Sequence, residues 1–213
     1  MSTHVHAPLR QIPLGFTPEL YPEGTHICYL YSDEEERKRF ISTYLSSGID
    51  AREAVTYVAD TGFEMLDHAI EGLGIAPPQE QDQFMVATAM ETYFPSGRFE
   101  PEKMLDHIRD MYASVPADCA GARATAEMTW ALHDIPGVEH LIEYEAQINE
   151  VLKTHPMTTL CQYDTRKFSG AMIYELLNVH PIMIVHGQIM RNPFYVPPPP
   201  IRGGKTGTRD DRQ

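Results

Sequence analysis

With 213 residues, 42% of them hydrophobic and 22% charged, the chain has apolar material for one sizeable core and is too apolar to be disordered throughout. Its 17 basic and 30 acidic residues leave a formal charge of -13, which disfavours contact with phosphate backbones and anionic lipid. No apolar run reaches the ~18 residues that span a bilayer, and the proline-bearing start lacks a secretory apolar region. Three cysteines, Cys28, Cys119 and Cys161, are too few for a disulfide framework. A cytoplasmic protein with no membrane partner and no direct nucleic-acid partner is therefore expected.

Residues 1–24 carry scattered proline without a sustained period and are expected to form an extended N-terminal arm, with the core beginning after it. THICYLY at 25–31 is β-branched and aromatic, as a buried strand is. SDEEE at 32–36 then supplies a cap and an acidic first turn for a helix bearing Phe40, Ile41, Tyr44 and Leu45, which Gly48 is expected to close. AVTYVA at 54–59 predicts a second strand, Asp60 and Thr61 a cap region, and Phe63, Leu66, Ile70 and Leu73 a helix ending before Gly74. FMVAT at 84–88 is a third strand, 91–99 a loop, and Pro101 opens a helix through Met111. Further strands are predicted over 123–129, 157–163 and 181–186, with helices over 138–152 and 169–177. This alternation predicts an α/β fold of three layers, a mostly parallel sheet with helices on both faces. From 188 the chain is expected to leave the sheet because of the prolines at 197–200, and 198–213 to form a disordered tail.

Ligands of open parallel sheets sit beyond the carboxyl ends of the strands. The residues there are 31–33, 60–61, 91–93, 127–130, 163–165 and 186–187, among them Tyr31, Glu127, Trp130, Asp164 and His186, and of these Ser32, Asp33 and Asp60 read first as helix caps. A phosphate loop needs glycines for close amide approach and a lysine for the phosphates. SDEEE offers neither and would repel triphosphate, so an ATPase is not expected; GGKT at 203–206 follows a proline run rather than a strand. His26 and Cys28 share one strand face, and Cys161 lies centrally in another strand. If those strands are neighbours, the three could hold a soft metal or form a redox pair, against the competing reading of inert packing. His68, His107, His133, His140, His155 and His180 show no ligand spacing and are expected at the surface or at caps. Glu143 and Glu145 point in different directions around their helix and are expected on its solvated face. No nucleophile signature is present.

Six segments then fall in order: THICYLY at 25–31 with its acidic run, SGRFEP at 96–101, AEMTWAL at 126–132, Gly137 with YEAQIN at 144–149, LCQYD at 160–164 and NPFYVP at 192–197. Together they make residues 25–197 resemble the DcmR-like sensory domain family, the methanogen/methylotroph DcmR sensory domains. The resemblance implies a RecA/KaiC-like P-loop-type fold lacking a functional P-loop, used as an input module in bacterial and archaeal signal transduction, with hydrocarbon derivatives as suggested signals. It makes Tyr31, Glu127, Trp130 and Asp164 candidate ligand-binding residues beside the metal candidates His26, Cys28 and Cys161; no cofactor is assigned. The function expected is a stand-alone sensory module that binds a small molecule or a redox or metal cue and signals by contact with a kinase or transcription regulator, self-association being open. A partner-switching interaction module with a vestigial cleft is the alternative, and a residual nucleotide-binding protein a more distant one.

Overall fold

The structure, a computed structural model, describes residues 9–75 and 83–197. The strands that build the main sheet are β3 (His26–Tyr31), β4 (Glu53–Ala59), β5 (Phe84–Thr88), β6 (Gly121–Glu127), β7 (Thr158–Asp164), β8 (Ile182–Val185) and β9 (Gln188–Arg191). They lie in the order β5-β4-β6-β7-β3-β8-β9, all parallel except the last pair. Helices α1 (Glu34–Asp50) and α2 (Leu66–Leu73) cover one face; α4 (Pro101–Ala113), α5 (Leu141–Val151) and α6 (Gly170–Val179) cover the other, giving two cores on either side of the sheet. The short α3 (Ala89–Tyr93) follows β5. The chain leaves β3 for one face and its neighbour β7 for the other, so a crevice opens at their carboxyl ends. The predicted α/β architecture and its six parallel strands are present.

Several local expectations are corrected. Part of the stretch 9–24 belongs to the core: β1 (Gln11–Pro13) and β2 (Leu20–Pro22) form a small antiparallel hairpin, and Ile12 and Leu14 are buried. The anchor is Arg123, a fully buried side chain that pairs with Glu53 and donates to the carbonyls of Tyr44 (2.8 Å) and Pro13 (2.9 Å). Gly48 does not end α1 but lies inside it, where a Cβ would stand 2.6 Å from the Arg123 side chain. Asp33 caps α1 by accepting from the Glu36 amide at 2.7 Å, whereas Asp60 caps nothing and instead accepts from the Thr129 hydroxyl. The expected loop over 91–99 opens with α3, whose capping box joins Thr88 and Glu91. The fourth strand lies two residues earlier than predicted, and 129–132 form a 3-10 turn.

Residues 188–191 also stay on the sheet. His186 and Gly187, both at positive φ, make a tight turn that sends β9 back along β8. The expected tail at 198–213, with its GGKT, lies outside the described residues. Among the described residues no helix is long and apolar enough to cross a membrane.

Candidate functional site

Two polar constellations stand out. The first is at the carboxyl edge, where sequence reasoning placed Tyr31, Glu127 and Asp164. Arg37, from the first turns of α1, lies with its guanidinium carbon 5.6 Å from the centre of the Tyr31 ring. It donates to Glu127 Oε1 and Gln162 Oε1, each at 2.9 Å, and to Glu34. Glu127 Oε1 also accepts from the Tyr57 hydroxyl, and Oε2 accepts from the Asp60 amide at 3.0 Å. Burial raises the Tyr57 and Tyr31 phenols, so both stay neutral. Asp164 is occupied within its own turn, both carboxylate oxygens accepting from Arg166 at 2.8 and 2.7 Å. Where a phosphate cradle would present open amides, this edge presents a closed network of charged hydrogen bonds. His186 lines only a small cavity of about 100 Å³ beside Tyr31 and Glu36.

The second constellation is buried between the sheet and α5 and α6. Strands β3 and β7 are indeed neighbours, with Cys28 opposite Cys161. His26 and Cys161 meet, and two residues expected at the surface join them: Glu145 from α5 and His180 at the end of α6, both fully buried. Glu145 Oε2 lies 3.2 Å from His26 Nε2, 3.4 Å from His180 Nε2 and 3.8 Å from Cys161 Sγ; Cys161 Sγ lies 3.6 Å from His26 Nε2. Tyr163 donates to Glu145 Oε1 at 2.9 Å. Asn149 Nδ2 donates to the Val179 carbonyl at 2.8 Å, which turns its Oδ1 toward His26 Nδ1 at 3.4 Å. His180 Nδ1 is 2.7 Å from the Leu176 carbonyl and must donate to it, and Asn192 holds the His180 carbonyl at 2.7 Å. Burial, then neighbouring His180, lowers the His26 pKa to about 4, keeping it neutral. Burial and then Glu145 push the Cys161 and Cys28 thiols up. Cys28 sits beside the cluster without joining it.

Residues 25–181 match the model of the MEDS family, the methanogen/methylotroph, DcmR sensory domain. The chain belongs to this family. It is 27% identical over 159 residues to the transcriptional repressor DcmR of Methylorubrum extorquens, covering 73% of this chain but only 57% of that repressor. Among solved structures it is similar to a KaiC-like protein of Pyrococcus horikoshii (TM-score 0.57, 14% identity, 83% of this chain and 80% of that one). It is also similar to the flagellar accessory protein FlaH of Methanocaldococcus jannaschii (TM-score 0.52, 11% identity, 85% and 84%). The MEDS sheet is thus a RecA/KaiC-like P-loop-type fold, and the turn after β3 carries SDEEE and Arg37 rather than the glycines and lysine of a phosphate loop.

Trp130, the remaining candidate, is not at the rim of this MEDS domain. It is fully buried, stacked on Tyr93 at 4.5 Å and packed against Phe99 at 5.1 Å. Nearby, β6 presents Ala124 and Ala126 where longer side chains would fill the space under α4 and α5. A small, mainly apolar cavity of about 30 Å³ remains, its lining including these alanines with Met104, Ile108, Ile148 and Cys161. Met111 and Met157 line both this cavity and an open cleft of about 420 Å³.

Proposed function

We propose that this MEDS domain is a signalling input module that does not turn over nucleotide and that reads a small apolar molecule in the cavity beneath α4 and α5. The observation that carries the reading is the cavity itself. Alanine, methionine and isoleucine make up much of its wall, with the Cys161 thiol and the side chains of Thr92, Thr125 and Thr159 as polar neighbours. At about 30 Å³ it suits one or two carbon atoms, since dry apolar cavities admit apolar guests of matching size. Flexible Met111 and Met157 separate it from the open cleft and supply an entry route. The family's sensory role and the relative that is a transcriptional repressor support an output by contact with a transcription regulator; the formal charge of -13 argues against direct DNA contact by this chain. The absence of a nucleotide reaction is supported by the edge, where acidic residues and Arg37 pair with one another.

The test is thermal unfolding of the purified chain under xenon and with a series of one- to four-carbon alcohols and halides, beside the variant Ala124→Leu, which fills the cavity. The smallest apolar members should raise the melting temperature of the parent and not of the variant. Equal shifts in both proteins, or none in either, would overturn the cavity as the site. Steady ATP turnover abolished by Glu127→Gln would overturn the non-enzymatic reading.

A further inference from the structure

The buried cluster beside the cavity has an electrostatic problem that its own hydrogen bonds leave open. His180 Nδ1–H is committed to the Leu176 carbonyl, so a neutral His180 directs a bare Nε2 lone pair inward, and that atom has no hydrogen-bond partner despite full burial. Asn149 Oδ1 faces His26 Nδ1 and asks it for a proton, which leaves His26 Nε2 unprotonated with only the Cys161 thiol, 3.6 Å away, to donate to it. Both lone pairs converge on Oε2 of Glu145, an anion. Acceptors facing acceptors in a dry interior are costly unless a cation lies between them.

The distances describe the cation. A four-coordinate zinc with bonds of about 2.05 Å to nitrogen or oxygen and 2.3 Å to sulfur sets its ligand atoms about 3.3 Å apart for N and O pairs and about 3.6 Å apart for pairs with sulfur. Four of the six separations are 3.2 and 3.4 Å for the first kind and 3.6 and 3.8 Å for the second. All four ligand atoms lie within 4.8 Å of one another. Three ligands also have the outer partners that metal sites use to aim them: the Leu176 carbonyl for His180, Asn149 for His26 and Tyr163 for Glu145.

We propose that His26, Glu145, Cys161 and His180 bind one divalent borderline metal ion of the zinc class in a closed tetrahedral site. Binding expels the Cys161 thiol proton to solvent, and the resulting thiolate with the Glu145 carboxylate balances a charge of +2. The buried site is then neutral, which favours a divalent over a monovalent ion. With every position filled by protein the ion has no open coordination site for chemistry. It clamps β3, β7, α5 and α6 together, and through Cys161 it touches the wall of the apolar cavity. The proposal stands on the ligand set and does not depend on the cavity being a sensor pocket.

Untagged full-length protein, stripped with a chelator and titrated with cobalt(II), tests it. One equivalent should produce the intense visible bands of four-coordinate cobalt and a near-ultraviolet thiolate-to-cobalt band. Cys161→Ser should lose the near-ultraviolet band, Cys28→Ser and Cys119→Ser should keep it, and Asn149→Leu should weaken binding about 10–100-fold. Cys161→Ser changes one atom and guards against a folding failure in variants of His26 or His180. A pale six-coordinate spectrum, or a thiolate band that survives Cys161→Ser, would overturn the site. Either result leaves the xenon and alcohol shifts of the parent free to stand or fall separately.

Discussion

The two polar constellations of this domain are built from similar residues and have opposite characters. At the carboxyl edge Arg37, Glu127, Gln162, Tyr57 and Glu34 complete one another, donor against acceptor, with nothing left over. Between the sheet and α5, the two imidazoles and the carboxylate turn acceptors toward a common centre. Perturbed, buried polar groups alone do not distinguish a working site from a structural network. What distinguishes them is whether the hydrogen-bond valences close. On a RecA/KaiC-like sheet this inverts the usual geography: the edge where a ligand would be sought is shut, and the unfinished valences lie under the helices.

The contrast predicts effects of opposite sign. Arg37→Met removes the cation that completes the edge and leaves Glu127 with only Tyr57 and one amide. The expected loss is about 2–3 kcal/mol in denaturant unfolding, less than for a fully buried pair because Glu127 retains some water contact. The double variant Arg37→Met/Glu127→Leu should regain most of it. A loss below about 0.5 kcal/mol would mean the edge network is only surface decoration.

In metal-stripped protein Glu145→Gln should do the reverse. The amide keeps the shape of the carboxylate but offers N–H donors to the bare Nε2 atoms, for an expected gain of about 1 kcal/mol. In metal-loaded protein the same change should be destabilising, because a ligand is lost. A destabilised Glu145→Gln under chelator would mean that the histidines already donate to Glu145 and that the cluster, like the edge, is closed.

How far the sequence reached follows the same division. Buried parallel strands advertise themselves through β-branched and aromatic runs, so β3 to β8 were legible to within two residues and the fold class with them. The two hairpins were not, because β1, β2 and β9 are only three or four residues long and the flanking prolines hide their turns. At the edge, Tyr31 and Glu127 could be found from strand ends, but their organiser Arg37 sits in a helix and has no motif. In the cluster, His26 and Cys161 were readable from strand periodicity. Glu145 was misjudged by comparison with Glu143, when the relevant signal was its phase with Leu141, Tyr144 and Ile148, which places it on the buried stripe of α5. His180 carries no local signal. It is brought against His26, ring centroids 4.0 Å apart, where the end of α6 runs into β8 beside β3, a property of the sheet and not of any segment. The family resemblance held the missing information in scattered form, since the segments at 25–31, 144–149, 160–164 and 192–197 all meet at this cluster.

The smallest expected effect tests whether an unpartnered polar atom is enough to mark a site. Trp130 Nε1 is buried without a hydrogen-bond partner, as His180 Nε2 is. Its surroundings differ: Tyr93, Phe94 and Phe99 pack on the indole with no convergent acceptors. Trp130→Phe removes the stranded donor, worth about 1–3 kcal/mol, and opens a cavity of similar cost, so unfolding should shift by less than about 1 kcal/mol and cobalt affinity should not change. A tenfold loss of cobalt affinity in this variant would show that the aromatic core and the histidine cluster are one coupled unit. An unchanged affinity identifies Trp130 as a packing compromise and leaves convergence, rather than burial or lack of a partner, as the mark of the site.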